Sequence, residues 1–366
     1  MDEFDHLAMG VALSKVPGIG KATAGKLLNE FGALEAIFKA DLNDLNQVSR
    51  LSDRAKEELL KKNEFSAEQR QVEEVLNEGG RVTLFTDHEY PYRLALCHDA
   101  PQVLFSKGLR TWNEPRIVAV VGMRQASEYG KRACQELVRG LQKSNAVVVS
   151  GLAFGIDILA HRAAAEVGLS SLACLAHGLD MIYPRLHQKD AIRMQGSGAL
   201  ITEYPFGTNP DRMNFPSRNR IIAGLADVTI VVQSESKGGS MITAKLAHSY
   251  HRDVMAIPGS INDRRSQGCH ELIQFHIASL ISSSDDVMRF MNWQPKVKPK
   301  MELFVELNRS EEKVIELISS EKASHIDAIC HDSGLSRGEV MSALLSLELK
   351  GFVTAQPGSS FLRTRG

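Results

Sequence analysis

The chain has 366 residues, 43% of them hydrophobic, which is more length than one ordinary domain needs and enough apolar material for more than one core. Forty-three Lys and Arg against forty-four Asp and Glu leave a net charge of −1, so no global positive field advertises a polyanion partner and any such site must be a local patch. No eighteen-residue apolar run, an acidic N-terminus, and five scattered cysteines (Cys97, Cys134, Cys174, Cys269, Cys330) without a C-x-x-C pair argue against a membrane span, export, a disulfide framework or a metal site, and predict a cytoplasmic protein.

Residues 1–80 show helical periodicity and balance at −5, with ten basic and fifteen acidic side chains. Within them "VPGIGKATAGKLLNEFG" (16–32) resembles a helix-hairpin-helix. Gly18 and Gly20 allow a tight hairpin at which backbone N–H groups and Lys21 can meet a DNA phosphate without reading bases. An ordinary αα-turn reads the same way.

From residue 81 to 293 the pattern predicts a second, α/β domain. "RIVAVVG" (116–122), "AVVVSG" (146–151), "SLACLAHG" (171–178), "ALITEY" (199–204), "DVTIVVQS" (227–234), "DVMAIPG" (253–259) and "ASLIS" (278–282) are short apolar runs, each followed by a helix or a Gly/Pro turn. Such alternation predicts a mostly parallel, Rossmann-like sheet covered on both faces, with ligands beyond the carboxyl ends of the strands. Positive charge gathers here: 107–143 carries eight Lys/Arg against three Glu, and 204–265 eight against five acids.

The turns between these elements carry the chemistry. "VVGMRQASEYG" lacks the G-x-G-x-x-G spacing, which disfavours a dinucleotide, but puts Arg124 and Ser127 at a helix start where an anion is favoured. "SGLAFGIDILAH" places Gly151 and Gly155 in a loop and Asp157 and His161 one turn apart, a candidate base dyad or a local hydrogen-bonded pair. Asp180 and Tyr183 of "HGLDMIYP" read as a structural turn, with Arg185 and Lys189 beyond it. Arg212, Phe215, Arg218 and Arg220 fall within nine residues, the mixture of guanidinium groups and a ring that single-stranded nucleic acid requires. Phe215 reads equally as a hydrophobic staple. "SKGGSMITAKLAH" then offers Gly238, Gly239 and Ser240 as a phosphate nest without a Walker spacing.

Residues 294–302, with two prolines and three lysines, read as a linker to a third domain at 303–366. Helices at 310–320, 325–331 and 337–350, capped at Ser324/Asp327 and Ser336/Glu339, followed by a hairpin, lay out a winged helix. Its recognition helix carries only Arg337 and Lys350, so duplex DNA and a protein are equally open as partners.

In order, "VVGMR..S.YG", "SG.A.GID..AH", "GLD..YP", "FP.RNRIIAGL", "GGS.ITA..A" and "PG....RSQGC..LI" resemble the signature of the DNA-processing protein A (DprA/Smf) family over roughly residues 81–291. The flanking domains resemble that family's longer members. The resemblance implies a dimeric, non-enzymatic protein without a cofactor that binds and shields incoming single-stranded DNA in natural transformation and helps load the recombinase RecA. Its pocket would use Arg124, Gly151, Gly155, Arg212, Phe215, Arg218 and Arg220. Two rivals remain: a Rossmann-type nucleotide phosphoribohydrolase, for which "PGSINDRRS" (258–266) lacks the glycine run and glutamate, and a winged-helix transcription regulator.

Overall fold

The helical periodicity of the first eighty residues is realised as α1 (Glu3–Lys15), α2 (Lys21–Phe31), α3 (Leu34–Lys39), α4 (Leu42–Gln47), α5 (Asp53–Lys61) and α6 (Ser66–Asn77) in a computed structural model that describes residues 3–293, 307–319 and 323–364. Gly18, at φ 85°, makes the turn between α1 and α2. The apolar faces of these helices, with Val11, Leu27, Leu45, Leu59 and Val72, share one core with Leu84 and Phe105 of the following elements. Residue 80 thus marks a change of architecture within a continuous packing.

The α/β segment runs β1 (Arg81–Leu84), α7 (Tyr92–Ala95), β2 (Val103–Gly108), β3 (Ile117–Val121), α8 (Glu128–Gly140), β4 (Val147–Ser150), α9 (Ile156–Glu166), β5 (Ser171–Cys174), α10 (Gln188–Met194), β6 (Ala199–Thr202), α11 (Asn214–Leu225), β7 (Val228–Val231), α12 (Gly239–Ser249), β8 (Asp253–Ala256), α13 (Gln267–Gln274), β9 (Ser279–Leu280) and α14 (Ser284–Phe290). The nine-stranded sheet has the order β1-β2-β6-β5-β4-β3-β7-β8-β9. Pairing from β6 to β9 is parallel, as the continuous apolar strands predict. β1 and β2 add antiparallel strands at one edge. They are not evident in the sequence because runs of four and six residues carry too few periods to separate strand from helix.

The chain builds outward from β3 on one side through β4, β5 and β6, then returns to β3's other flank with β7, β8 and β9. Neighbouring crossovers therefore leave in opposite directions at β3, which opens a crevice at the carboxyl ends of β3 and β7. The opposite end is closed by Arg93, buried on α7. Its Nε donates to Asp227 Oδ1 at 2.6 Å, while Asp227 Oδ2 accepts the Ile117 N–H at the start of β3.

The chain divides into two units, Met1–Pro295 and Lys296–Gly366. The linker predicted at 294–302 lies outside the described residues. The second unit has α15 (Arg309–Glu316), β10 (Ser324–His325), α16 (Ile326–Ser333), α17 (Arg337–Leu349), β11 (Val353–Gln356) and β12 (Ser360–Arg363), with a β10-β12-β11 sheet beside the three helices as in a winged helix. Ser336 and Glu339 form the predicted capping box. Ser324 does not cap: it lies in β10, and the His325 side chain instead accepts the Asp327 N–H.

Candidate nucleic-acid interface

A cleft of about 800 Å³ opens at the crevice beside β3 and β7. Each wall is a turn from a strand end into a helix. Gly122, Met123 and Arg124 leave β3, Ala153 and Asp157 belong to the start of α9, and Arg212, Phe215, Pro216, Arg218 and Asn219 come from the start of α11. Glu235, Lys237, Gly238, Gly239 and Ser240 lead into α12. Gly238 caps α12 without a side-chain acceptor and its carbonyl accepts the Met241 N–H at 3.1 Å, so a helix start with no capping side chain borders the cleft. Ser240, buried, donates its hydroxyl to Ser234 Oγ at 2.8 Å and shapes the turn from behind.

Arg124, Arg212 and Lys237 are exposed, and none has an ion-pair partner among the described residues. With Arg218 they set four cations against the carboxyl groups of Asp157 and Glu235. The Arg124 guanidinium lies 5.2 Å from the centroid of the half-buried Phe215 ring. A single strand needs this grouping: charges that reach phosphates and a ring a base can cover.

Arg218 forms the floor. It is 3% exposed and its Nη1 donates to the Cys174 carbonyl at 2.7 Å. Burial pushes its pKa down, opposed by the nearby Asp157 carboxylate. Burial likewise pushes the Asp157 carboxyl up, opposed by Arg218 and by hydrogen bonds that include the Gly151 N–H at 3.1 Å. Gly151 has to be glycine because an added Cβ would run into the Arg218 guanidinium. Gly155, at φ 76°, lies against the Met123 and Arg124 backbone, where no other side chain fits. Both glycines shape the cleft without lining it.

Five predicted residues do not join this cluster. Arg220 is two positions from Arg218, about 200° around α11. It faces the opposite side, paired with the Glu203 carboxylate and donating to the Asp99 carbonyl. Ser127 caps α8, accepting the Gly130 N–H at 3.2 Å, and its hydroxyl is taken up with the Gln233 amide. Gly20 and Lys21 border a separate cleft beside Asp99 and Arg220, where the Lys21 ammonium donates to the Ala95 and Cys97 carbonyls. Burial lowers the Lys21 pKa, and its two carbonyl contacts fasten the hairpin to the α/β body. Gly18 shapes that hairpin.

Asp157 and His161 do not form a dyad. The His161 ring bonds Ser171 Oγ at 2.6 Å, and burial holds it neutral with a pKa of about 3. Asp180 accepts the Gly207 N–H at 3.1 Å, the structural turn expected of it. The structure adds Lys237, Asn219 and Tyr183 to the cleft lining. Lys237 was legible as the cation directly before Gly-Gly-Ser. Tyr183, read with Asp180 as part of a structural turn, also lines the cleft. In the C-terminal unit, Lys350 donates to Glu311 at 2.7 Å and Arg337 lies 3.5 Å from Asp327, while Met341, Leu345 and Leu349 stand exposed along α17.

Residues 81–292 match the DNA recombination-mediator protein A family, 300–359 the DprA winged helix domain, and 11–61 a SAM-like helix-hairpin-helix tandem. Protein Smf of Escherichia coli (strain K12) is 34% identical over 283 residues, 75% of each chain. The X-ray structure of DNA processing protein A from Streptococcus pneumoniae aligns with a TM-score of 0.68 at 31% identity, covering 79% of this chain and 98% of that one. A structure of DNA processing protein A from Helicobacter pylori, described for its single-stranded DNA binding mode, gives a TM-score of 0.53 at 29% identity, covering 58% of this chain and 95% of that one.

Proposed function

The chain belongs to the DNA recombination-mediator protein A (DprA/Smf) family, and from that premise we propose that the cleft beside β3 and β7 binds single-stranded DNA without sequence preference and without catalytic turnover. The observation that carries this reading is the pairing of Arg124 and Arg212, exposed and without ion partners among the described residues, with Phe215 at the mouth of a cleft built on helix starts. The single-stranded DNA binding named for the H. pylori relative supports it. Shielding of incoming DNA, delivery to RecA, a homodimeric state and a cytoplasmic setting follow from the family resemblance.

A non-enzymatic role is supported by the separate engagements of Asp157 with the Gly151 N–H and of His161 with Ser171, so the two do not act as a base dyad. In the tail, Arg337 at the start of α17 and Lys350 just past its end are both paired and the helix's exposed stripe is apolar, which favours a protein over a duplex as what that helix meets. Among the described residues no helix is long and apolar enough to cross a membrane.

Salt dependence tests the cleft. Each phosphate neutralised on a single strand contributes about 0.7 to the slope of log affinity against log salt. Arg124→Ala and Arg212→Ala are each expected to flatten the slope by about that much and to weaken binding to all sequences alike. Arg220→Ala, on the far side of α11, is expected to leave the slope unchanged. Titrations of a labelled oligonucleotide at several salt concentrations read this directly, and an Arg220 effect equal to that of Arg124 would place the strand elsewhere.

A further inference from the structure

Phe215 is not the only ring at the mouth of the cleft. Tyr183 lines it too, 47% exposed, with its ring centroid 6.1 Å from that of Phe215 at an interplanar angle of 57°. Its hydroxyl makes no hydrogen bond among the described residues, whereas its backbone is fixed: the Tyr183 N–H donates to Nε2 of the buried His177 at 3.2 Å. An exposed tyrosine held rigidly with a free face is what stacking on an unpaired base needs. Arg124 already covers one side of Phe215, so a second ring is the open platform for the next base.

The chain beyond Tyr183 has the same character. Arg185 and Lys189 are exposed, and neither side chain has an ion pair or hydrogen bond among the described residues. The nearest acid in sequence, Asp190, is taken by Arg162 at 2.9 Å. The segment is anchored between them by His187, buried, whose Nδ1 lies 2.7 Å from the Leu152 carbonyl oxygen. We infer that Tyr183 is a second base-stacking residue and that a bound strand leaves the cleft across residues 183–189, with Arg185 and Lys189 meeting its phosphates. This rests on the single-strand reading of the cleft.

The test uses the full chain and three fluorescent probes: a twenty-residue oligothymidylate, a four-residue one that fills only the cleft, and a twenty-residue abasic strand with the same phosphates. Tyr183→Ala is expected to weaken the long oligothymidylate about five- to 150-fold with an unchanged salt slope, and to leave the abasic strand untouched. Tyr183→Phe is expected to retain binding. Arg185→Ala and Lys189→Ala are each expected to flatten the salt slope by about 0.7 on the long probes and not on the short one. Wild-type affinity in the Tyr183→Ala protein, or equal loss on oligothymidylate and abasic strands, overturns the inference while the cleft reading stands. If the wild-type chain shows no preference for oligothymidylate over the abasic strand, base stacking in the cleft itself is wrong.

Discussion

Replacement of Arg218 by Met is expected to cost about 3–5 kcal/mol of folding stability, the range found when one partner of a buried charged pair is removed. The guanidinium is 3% exposed, holds the Cys174 carbonyl at 2.7 Å, and sits close enough to Gly151 that no Cβ fits between them. Without it, Asp157 is left buried with hydrogen-bond donors such as the Gly151 N–H and no compensating cation. Asp157→Asn in the same chain removes the orphaned charge, so the double variant is expected to be more stable than Arg218→Met alone. Urea melts of the four proteins give the coupling between the two sites. A loss below about 1 kcal/mol for Arg218→Met, with single-strand affinity falling as in Arg124→Ala, would make Arg218 a phosphate ligand and not the pillar beneath the cleft.

Phe215→Ala is expected to act on binding in a different way. Its ring is half-buried at the start of α11, with Arg124 over it and Tyr183 beside it, so folding loses little while the cleft loses a stacking face. The expected cost is about 1–3 kcal/mol of single-strand affinity with the salt slope nearly unchanged, because no phosphate contact is removed. Phe215→Trp is expected to be tolerated. On duplex DNA, whose bases are stacked on one another, the effect is expected to disappear. Isothermal titration of both variants against a single strand and the matching duplex checks this. Unfolding of Phe215→Ala in a thermal melt would return the ring to the role of a hydrophobic staple.

The sheet and the cleft were legible in the sequence to different depths. Continuous apolar strands such as "RIVAVV" and "DVTIVV" state that both faces are covered, which leaves a parallel sheet as the natural answer and locates ligands at the strand ends. β1 and β2 were hidden because their runs are too short to show a period, and for β2 one of the two partners also lies far along the chain, Phe105 pairing with Thr202 of β6. The spacing around Phe215 picked out a segment that lines the cleft. It could not divide Arg218 from Arg220, since two positions on a helix face nearly opposite ways and only the tertiary packing decides which one enters the floor. Ser127 shows the same limit. A serine at a helix start can cap or bind an anion, and the long-range Gln233 amide decided for the cap. Tyr183 reaches the cleft from the loop after β5, where its N–H is held by Nε2 of His177, a placement that depends on tertiary packing.

Lys21 shows how a motif can be present and yet turned to another task. The helix-hairpin-helix forms as the glycine spacing predicts, within eighty residues whose net charge is negative. Its one lysine at the turn is directed to backbone carbonyls of the neighbouring segment.

The most direct measurement of the central claim is competition between an unlabelled single strand and the same sequence as a duplex for the wild-type protein, read at 50 and 200 mM salt. A cleft of exposed guanidinium groups around an accessible ring predicts that the single strand displaces the probe at far lower concentration than the duplex at both salts. It also predicts that the gap persists as salt rises, because stacking is not screened. Equal displacement by the two forms, or a preference that vanishes at the higher salt, would contradict it and leave only a charged surface.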